Sequence, residues 1–314
     1  MSAHRIVARL RDSQIDAAAV FGNIPADSSG LIAINAWRLS DAVHAFRASH
    51  PTRPIIVVLA GSDLYQSKTE LESQQTLLTM SEATALVVAQ AEALESIPDE
   101  LRGKCKIIPK SVDLPATCQP KSDDDNGFEA IVVSNLRPEK DPLLAAEAAL
   151  SLPGDSELRV THYGIELDRE LAEKARAAAS LPNSRYRWLG SASHGQTLQV
   201  ISSADLFINS SIFEGGANAV CEAIALGTPV LATRIPGNVG ILGADYPGLY
   251  PAGDALALKA LLLRCERCPE FVENLKMHCA KIAPTFLPES ESRLWANLIH
   301  DLVAQESLAG CSPA

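Results

Sequence analysis

Two glutamates, Glu214 and Glu222, bracket a pair of glycines in the stretch Phe207–Thr233, FINSSIFEGGANAVCEAIALGTPVLAT. The apolar run ending near Asn209 reads as a strand, and helical spacing from Ala217 to Gly227 reads as a helix, after which Pro229 opens a new strand. Gly215 and Gly216 therefore stand where strand passes to helix. Backbone amides left bare at such a turn attract an anion such as a diphosphate, and the helix dipole adds to the pull. A helix entry that needs permissive backbone angles accounts for the same glycines. The carboxylates tip the balance towards a ligand, because each accepts two hydroxyl hydrogen bonds at once and so suits the vicinal diols of a ribose or a hexose. Glu222 is flanked by the apolar runs AVC and AIAL, which argues against an ordinary exposed glutamate. Asn218, at the same helix start, joins the candidate substrate-binding residues.

A second cluster, Asn135-Leu136-Arg137-Pro138-Glu139-Lys140-Asp141, follows the apolar run EAIVVS. Two cations at the end of a parallel strand lie on the edge where open α/β sheets bind ligands. There Arg137 and Lys140 would neutralise a pyrophosphate and stabilise the charge that develops as it leaves. A solvated turn with ion pairs to Glu139 or Asp141 is the plainer alternative. Gly61, Ser62 and Asp63 follow the strand-like PIIVVLA, where Asp63 either orients a substrate hydroxyl or caps the next helix. Gly237, Asn238 and Gly240 in RIPGNVG read as a flexible loop that contacts sugar or acceptor, although turn geometry explains the glycines equally well.

The first half of the chain alternates short β-rich runs with amphipathic stretches, the pattern of a parallel sheet with crossover helices. Strands are expected at Ala17–Phe21, Leu31–Asn35, Ile55–Ala60, Ala85–Ala89 and Lys106–Pro109, with helices at Ser40–Ser49 and Ser67–Met80. The polar, aspartate-rich segment Thr117–Gly127 is the expected domain boundary. After it the alternation restarts, with strands at Glu129–Ser134, Leu158–Tyr163, Tyr186–Leu189, Leu206–Asn209 and Val230–Thr233. The expected helices are Leu143–Leu150, Asp168–Ser180, His194–Ser203, Ala217–Leu226 and Ala255–Arg267. A last helical region runs from about Pro288 to Ala309. The expected fold class is α/β, with two Rossmann-like domains, residues 1–118 and 127–287, facing a cleft, and a C-terminal helix in 288–314 packing back across them.

At 314 residues the chain is long enough for two ordinary domains. A net charge of −11 disfavours a nucleic-acid backbone as partner. No apolar run is long enough to cross a bilayer and the start lacks the apolar core of a secretory signal, so a cytoplasmic enzyme is expected. The seven cysteines, Cys105, Cys118, Cys221, Cys265, Cys268, Cys279 and Cys311, contain one close pair, Cys265 and Cys268. His278 and Cys279 lie at unconvincing spacing for a zinc site, so reduced structural thiols and no metal are expected. No G-x-G-x-x-G follows a strand, which disfavours a nicotinamide dehydrogenase.

The E-x7-E of Glu214 to Glu222, the A-x-A-x-G-x-P-V after it and the R-x-x-K of Arg137 and Lys140 together resemble the family 4 glycosyltransferases, whose two-domain fold is called GT-B. The resemblance implies a nucleotide sugar held by the C-terminal domain and its diphosphate gripped by the two cations. It also implies ribose hydroxyls on Glu222, the transferred sugar on Glu214, and close approach of Gly215 and Gly216 to sugar and phosphate. Arg137, Lys140 and Glu214 are then the catalytic set, and Asp63, Gly215, Gly216, Asn218, Glu222, Gly237 and Asn238 the substrate-binding set.

A narrower resemblance runs through LAGSDLY, LRPEKDP, THYGIELD, YRWLG, FEGGANAVCEA and RIPGNVGILGADYPGLYPAGD to the bacterial selenosugar synthases of selenoneine biosynthesis. It implies a UDP-sugar donor such as UDP-N-acetylglucosamine, selenophosphate as acceptor, and no cofactor. Members of that group begin with a strand and a glycine loop before the helix that here starts near Ala3, so the first domain is expected to lack its first strand, with His4 and Arg5 where that loop ends. They also tend to carry histidine where this sequence has Asn35, which cannot take a proton near neutral pH. A selenophosphate nucleophile is strong and soft, so positioning and leaving-group stabilisation would supply most of the catalysis. Rival readings are a family 4 enzyme with another acceptor, a nucleotide-sugar epimerase, and a non-catalytic sugar-nucleotide binder.

Overall fold

The computed structural model describes residues 2–66, 68–115 and 127–309. Most of the expected boundary Thr117–Gly127 lies outside the described residues, as do Ser67, Cys118 and Cys311. The contacts divide the chain into two compact units, Met1–Ser111 with Leu287–Ala314, and Val112–Phe286.

The first unit opens with helix α1 (Ser2–Asp12) and continues through β1 (Leu31–Ile34), α2 (Ser40–Ser49), β2 (Ile55–Val58), α3 (Gly61–Leu64), α4 (Glu70–Glu82), β3 (Ala85–Val88), α5 (Asp99–Arg102) and β4 (Cys105–Ile107). The four strands are parallel and lie in the order β1-β2-β3-β4. Among the described residues the order never reverses. Ile55, Val57, Leu86 and Val88 pack on one face with Val43, Phe46 and Met80 of the covering helices. Thr69 starts α4 with a capping box, its hydroxyl accepting from Glu72 N–H and the Glu72 carboxylate accepting from Thr69 N–H.

The expected strand Ala17–Phe21 is not one. Its β-rich composition finds no ladder partner: Phe21 is 84% exposed, and the Ala17 carbonyl accepts from Arg11 Nε instead. Composition favours a strand only where a neighbouring strand supplies the hydrogen bonds.

The second unit holds β5 (Glu129–Val133), α6 (Leu144–Leu150), β6 (Arg159–Tyr163), α7 (Arg169–Ala179), β7 (Tyr186–Trp188), α8 (His194–Ser202), β8 (Leu206–Asn209), α9 (Asn218–Ala225), β9 (Val230–Thr233), α10 (Pro236–Leu242), β10 (Leu249–Tyr250), α11 (Ala255–Arg267) and α12 (Pro269–Ile282). All six strands are parallel, in the order β10-β9-β8-β5-β6-β7. β8 and β9 are buried along their whole length, which is why they read as continuous apolar runs. The order runs one way from β5 through β6 to β7 and the other way from β8 outward. Between β5 and β8 the two loops leaving the carboxyl ends therefore diverge, and in such sheets that gap is where ligands bind.

RIPGNVG is also not a loop. Pro236 sits at the first turn of α10, where its fixed φ suits a helix and its missing N–H costs nothing. Gly237, Asn238 and Gly240 accordingly lie inside α10.

The chain ends in α13 (Pro288–Ala309), which packs on α1 and belongs to the first unit. Trp295, Leu298 and Leu302 join Ile6, Leu10, Ile56, Ala85 and Val87 in a core on the other face of the first sheet. Buried Glu291 ties this region together: Ser111 donates to its carboxylate through N–H (2.7 Å) and hydroxyl (2.6 Å), Trp295 Nε1 donates at 3.1 Å, and Arg5 pairs with it at 3.1 Å.

Candidate functional site

The reversal in strand order brings together two loops that lie far apart in sequence. After β5 the chain passes through Leu136, fully buried, into a short 3-10 helix, Pro138–Lys140. After β8 it passes through Asn209, Ser210 and Ser211, all buried, to Glu214. The loops are stitched by their backbones: Ile212 N–H donates to the Glu139 carbonyl at 2.9 Å and Ser210 Oγ donates to the Lys140 carbonyl at 3.0 Å. Tyr250, fully buried on β10, supports the second loop from below by donating to the Asn209 carbonyl at 2.9 Å.

On that frame Lys140 Nζ donates to Glu214 Oε1, which also accepts from Ser211 Oγ at 2.9 Å. Glu214 Oε2 takes no hydrogen bond from any described residue. The Glu214 side chain is 13% exposed and that of Lys140 28% exposed, so the pair sits at the wet edge of the sheet. Arg137 is looser. Its guanidinium is 53% exposed and lies 3.7 Å from Glu139, the plainer of the two readings open for that cation. A weakly held cation beside the first can swing to a ligand at little cost.

α9 begins at Asn218, an exposed residue, and its N-cap, Ala217, has no side chain to cap the first amides. By contrast α7, α8 and α11 are capped by Asp168, Ser193 and Asp254. No capping side chain therefore offsets the partial positive charge at the start of α9, as is also the case at α6, α10 and α12. Glu222 lies further along α9. Its side chain is 13% exposed, its carboxylate accepts no hydrogen bond from a described residue, and the half-exposed His194 ring comes within 3.8 Å. Burial pushes the Glu222 carboxyl above the usual carboxylate range, with His194 pulling it back.

Behind Glu214 stands α10. A Cβ built on Gly237 would fall 2.1 Å from the Glu214 carbonyl oxygen and 2.9 Å from its Cβ. Close approach, not turn geometry, therefore requires the glycine. Asn238 is fully buried, and its Nδ2 donates to Asn209 Oδ1 at 2.9 Å and to the Thr233 carbonyl at 3.0 Å. Thr233 Oγ1 in turn donates to the Ser211 carbonyl at 2.6 Å. Asn238 thus braces the strand ends from inside the unit, away from the exposed edge where Lys140 and Glu214 meet. Sequence reasoning missed Asn209, Ser211 and His194; the polar run NSS directly after an apolar strand, three residues before Glu214, was the available signal for the first two.

In the first unit Asp63 is 6% exposed. Its carboxylate accepts from Ala60 N–H at 2.7 Å, Ala36 N–H at 3.1 Å and Trp37 N–H at 3.5 Å, joining the loops after β1 and β2. Burial raises its pKa despite these donors. Asn35 adopts a left-handed φ of 82°, with its amide donating to Ser62 Oγ at 2.8 Å and its carbonyl accepting from Arg38 N–H at 3.0 Å. Asp63 thus holds backbone, and Ser62 is the side chain the same corner leaves half-exposed.

Among the described residues no cluster of three or more His, Cys, Asp or Glu could hold a metal, and no helix is long and apolar enough to cross a membrane. Cys105, Cys221, Cys265, Cys268 and Cys279 form no disulfide among the described residues. His162, on β6, is fully buried between the Ser134 carbonyl (Nε2, 2.8 Å) and the Tyr186 hydroxyl (Nδ1, 2.8 Å). It serves the core, not the edge.

Residues 118–282 match the family model described as glycosyl transferases group 1. HepE of Anabaena, solved in complex with UDP-glucose, superposes with a TM-score of 0.74 at 17% identity, over 86% of this chain and 78% of that one. Sucrose-phosphate synthase of Thermosynechococcus elongatus gives 0.70 at 16% identity, over 88% of this chain and 74% of that one. The pneumococcal O-GlcNAc transferase GtfA, solved with UDP and GlcNAc, gives 0.67 at 18% identity, over 83% and 55%. At these identities the likeness establishes the fold, two Rossmann-like α/β domains of the GT-B kind.

Proposed function

The chain belongs to the glycosyl transferases group 1 family, and from that premise we propose that it transfers a sugar from a UDP-sugar to selenophosphate in the cytoplasm, forming a selenosugar on the way to selenoneine. The observation that carries the donor half is the Lys140–Glu214 contact at the reversal of strand order, next to a helix start that no side chain caps. Lys140 and the first amides of α9 take the diphosphate, with Arg137 swinging in from Glu139. Gly215 and Gly216 let backbone approach it, and Asn218 lies at its rim. Glu222 accepts the ribose hydroxyls, and Glu214, fixed by Ser211 and Lys140, faces the transferred sugar. UDP-bound structures among the similar proteins support the choice of nucleotide.

In the reaction a lone pair of selenium forms the new bond to the anomeric carbon as the bond from that carbon to the diphosphate oxygen breaks and UDP leaves with its electron pair. Cations and amides aimed at the departing phosphate stabilise charge that grows only as the bond breaks, which lowers the barrier itself. The acceptor rests on the resemblance of RIPGNVGILGADYPGLYPAGD and the other quoted segments to selenosugar synthases. In this reading Asp63 holds the corner that presents Ser62 to a substrate, and Gly237 and Asn238 set the backbone beneath the sugar.

The test is direct. Purified protein given UDP-N-acetylglucosamine and selenophosphate should release UDP and form a selenium-bearing sugar, and Lys140→Met should lower kcat by about 10²–10³ without changing the melting temperature. UDP release only with ordinary alcohols or sugars would overturn the acceptor, and epimerised donor without any acceptor would overturn transfer.

A further inference from the structure

Glu222 presents an unusual pairing of facts. It is nearly buried and without a hydrogen-bond donor among the described residues, yet the role proposed for it, accepting two neighbouring hydroxyls, demands an ionised carboxylate. Something must offset the loss of water. α9 packs against α8, α12, β8, β9 and the 3-10 helix Ala283–Phe286. The strands and the 3-10 helix carry no titratable side chain, and α9 itself adds only Cys221. α12 carries Glu270, Glu273, Lys276, His278, Cys279 and Lys281, and α8 carries His194. Of these, His194 is the one that lies within ion-pair distance of Glu222 among the described residues.

His194 is also well placed by its own helix. It is the first residue of α8, directly after Ser193, whose hydroxyl accepts from Gln196 N–H at 3.3 Å while Ser193 N–H donates to Gln196 Oε1 at 2.9 Å. That capping box fixes the backbone from which the ring projects. Nδ1 comes within 3.8 Å of Glu222 Oε1, and the ring is 49% exposed, open to protons from solvent.

We infer that His194 is a positioning residue of the donor site, whose imidazole, in its protonated form, holds the Glu222 carboxylate in place to accept the two hydroxyls of a nucleoside ribose. The inference rests on the donor reading of Glu222 given above. Histidine changes charge between about pH 5 and 8. A positive imidazole 3.8 Å from a desolvated carboxylate favours its charged form, and so extends donor binding towards acid.

Calorimetry of UDP binding to the whole protein from pH 4.5 to 8 tests it, comparing wild type, His194→Gln, His194→Arg and Glu222→Gln. His194→Gln should match wild type at the basic end of the range and begin to lose affinity at a higher pH than wild type on the acid side. His194→Arg should restore the acid limb. Superimposable profiles for wild type and His194→Gln, or a loss by the same factor at every pH, would overturn the positioning role. The donor reading fails separately, if Glu222→Gln binds UDP as tightly as wild type.

Discussion

Gly237→Ala is the sharpest test of how the site is held. The added methyl carbon would lie 2.1 Å from the Glu214 carbonyl oxygen, 2.7 Å from its carbonyl carbon and 2.9 Å from its Cβ. None of these atoms is the tip of a flexible side chain. Ordinary contact begins near 3.4 Å, so α10 and the Glu214 backbone must part by about 1 Å or more. Overpacking of this kind costs about 1–3 kcal/mol, which for a unit of this size lowers its melting temperature by roughly 2–12 °C. The larger effect falls on chemistry, because a shift of about 1 Å in a reacting group costs on the order of 10²-fold in rate. Gly154→Ala is the control: nothing lies within 4 Å of its Cβ and its backbone is not left-handed. UDP release under saturating donor, measured beside thermal melting for both variants, should drop about a hundredfold for Gly237→Ala and stay near wild type for Gly154→Ala. If Gly237→Ala kept its rate within about threefold while remaining folded, α10 would not be what places Glu214.

The remaining expectations concern stability and the neighbouring supports. His162 is held near pKa 4 by burial, below its ordinary 6.5, so the folded state keeps it neutral while the unfolded chain protonates first. Its contribution is complete above pH 6.5 and is lost as pH falls towards 4, a decline of about 3 kcal/mol in all. Urea unfolding between pH 4.5 and 7 should show that decline, and His162→Gln, if folded, should flatten it; equal slopes would refute the assignment. Asp63→Ala strips the partner from three backbone amides and should destabilise the first unit by about 2–4 kcal/mol, seen as earlier melting with UDP affinity unchanged. Tyr250→Phe removes one hydrogen bond to the Asn209 carbonyl and should cost about 1–2 kcal/mol, with a rate loss larger than the loss of UDP affinity.

What the chain reveals before folding depends on range. The Glu214-to-Glu222 segment was legible because strand, glycine turn and helix follow one another locally, and Ser40–Ser49 and Ala255–Arg267 matched their helices to the residue. The Lys140–Glu214 contact was not legible, since it exists only because β8 pairs with β5 instead of with its sequence neighbour β7. Pro, two glycines and Asn made α10 look like a turn, whereas the proline starts the helix and Gly237 answers a collision no local pattern records. Ala17–Phe21 carried the reverse error, a β-like composition with no strand beside it. Asn35 read only as a departure from the histidine of the resembling group; its left-handed backbone, with its side chain bonded to Arg38 and Ser62, gives it a conformational role visible only in three dimensions.

The first unit is built from both ends of the chain, with α13 covering one face of its sheet and Glu291 fastening Arg5, Ser111 and Trp295. A ribosome releases the start of a protein first, and domains generally fold as they emerge. Here the order is inverted: Val112–Phe286 can close on itself while the earlier segment still waits, its apolar surface uncovered, for the last helix to be synthesised. A premature stop just after Phe286 would leave the second unit whole and the first without α13 on one face of its sheet, a molecule prone to aggregate although every residue of its E-x7-E segment is present.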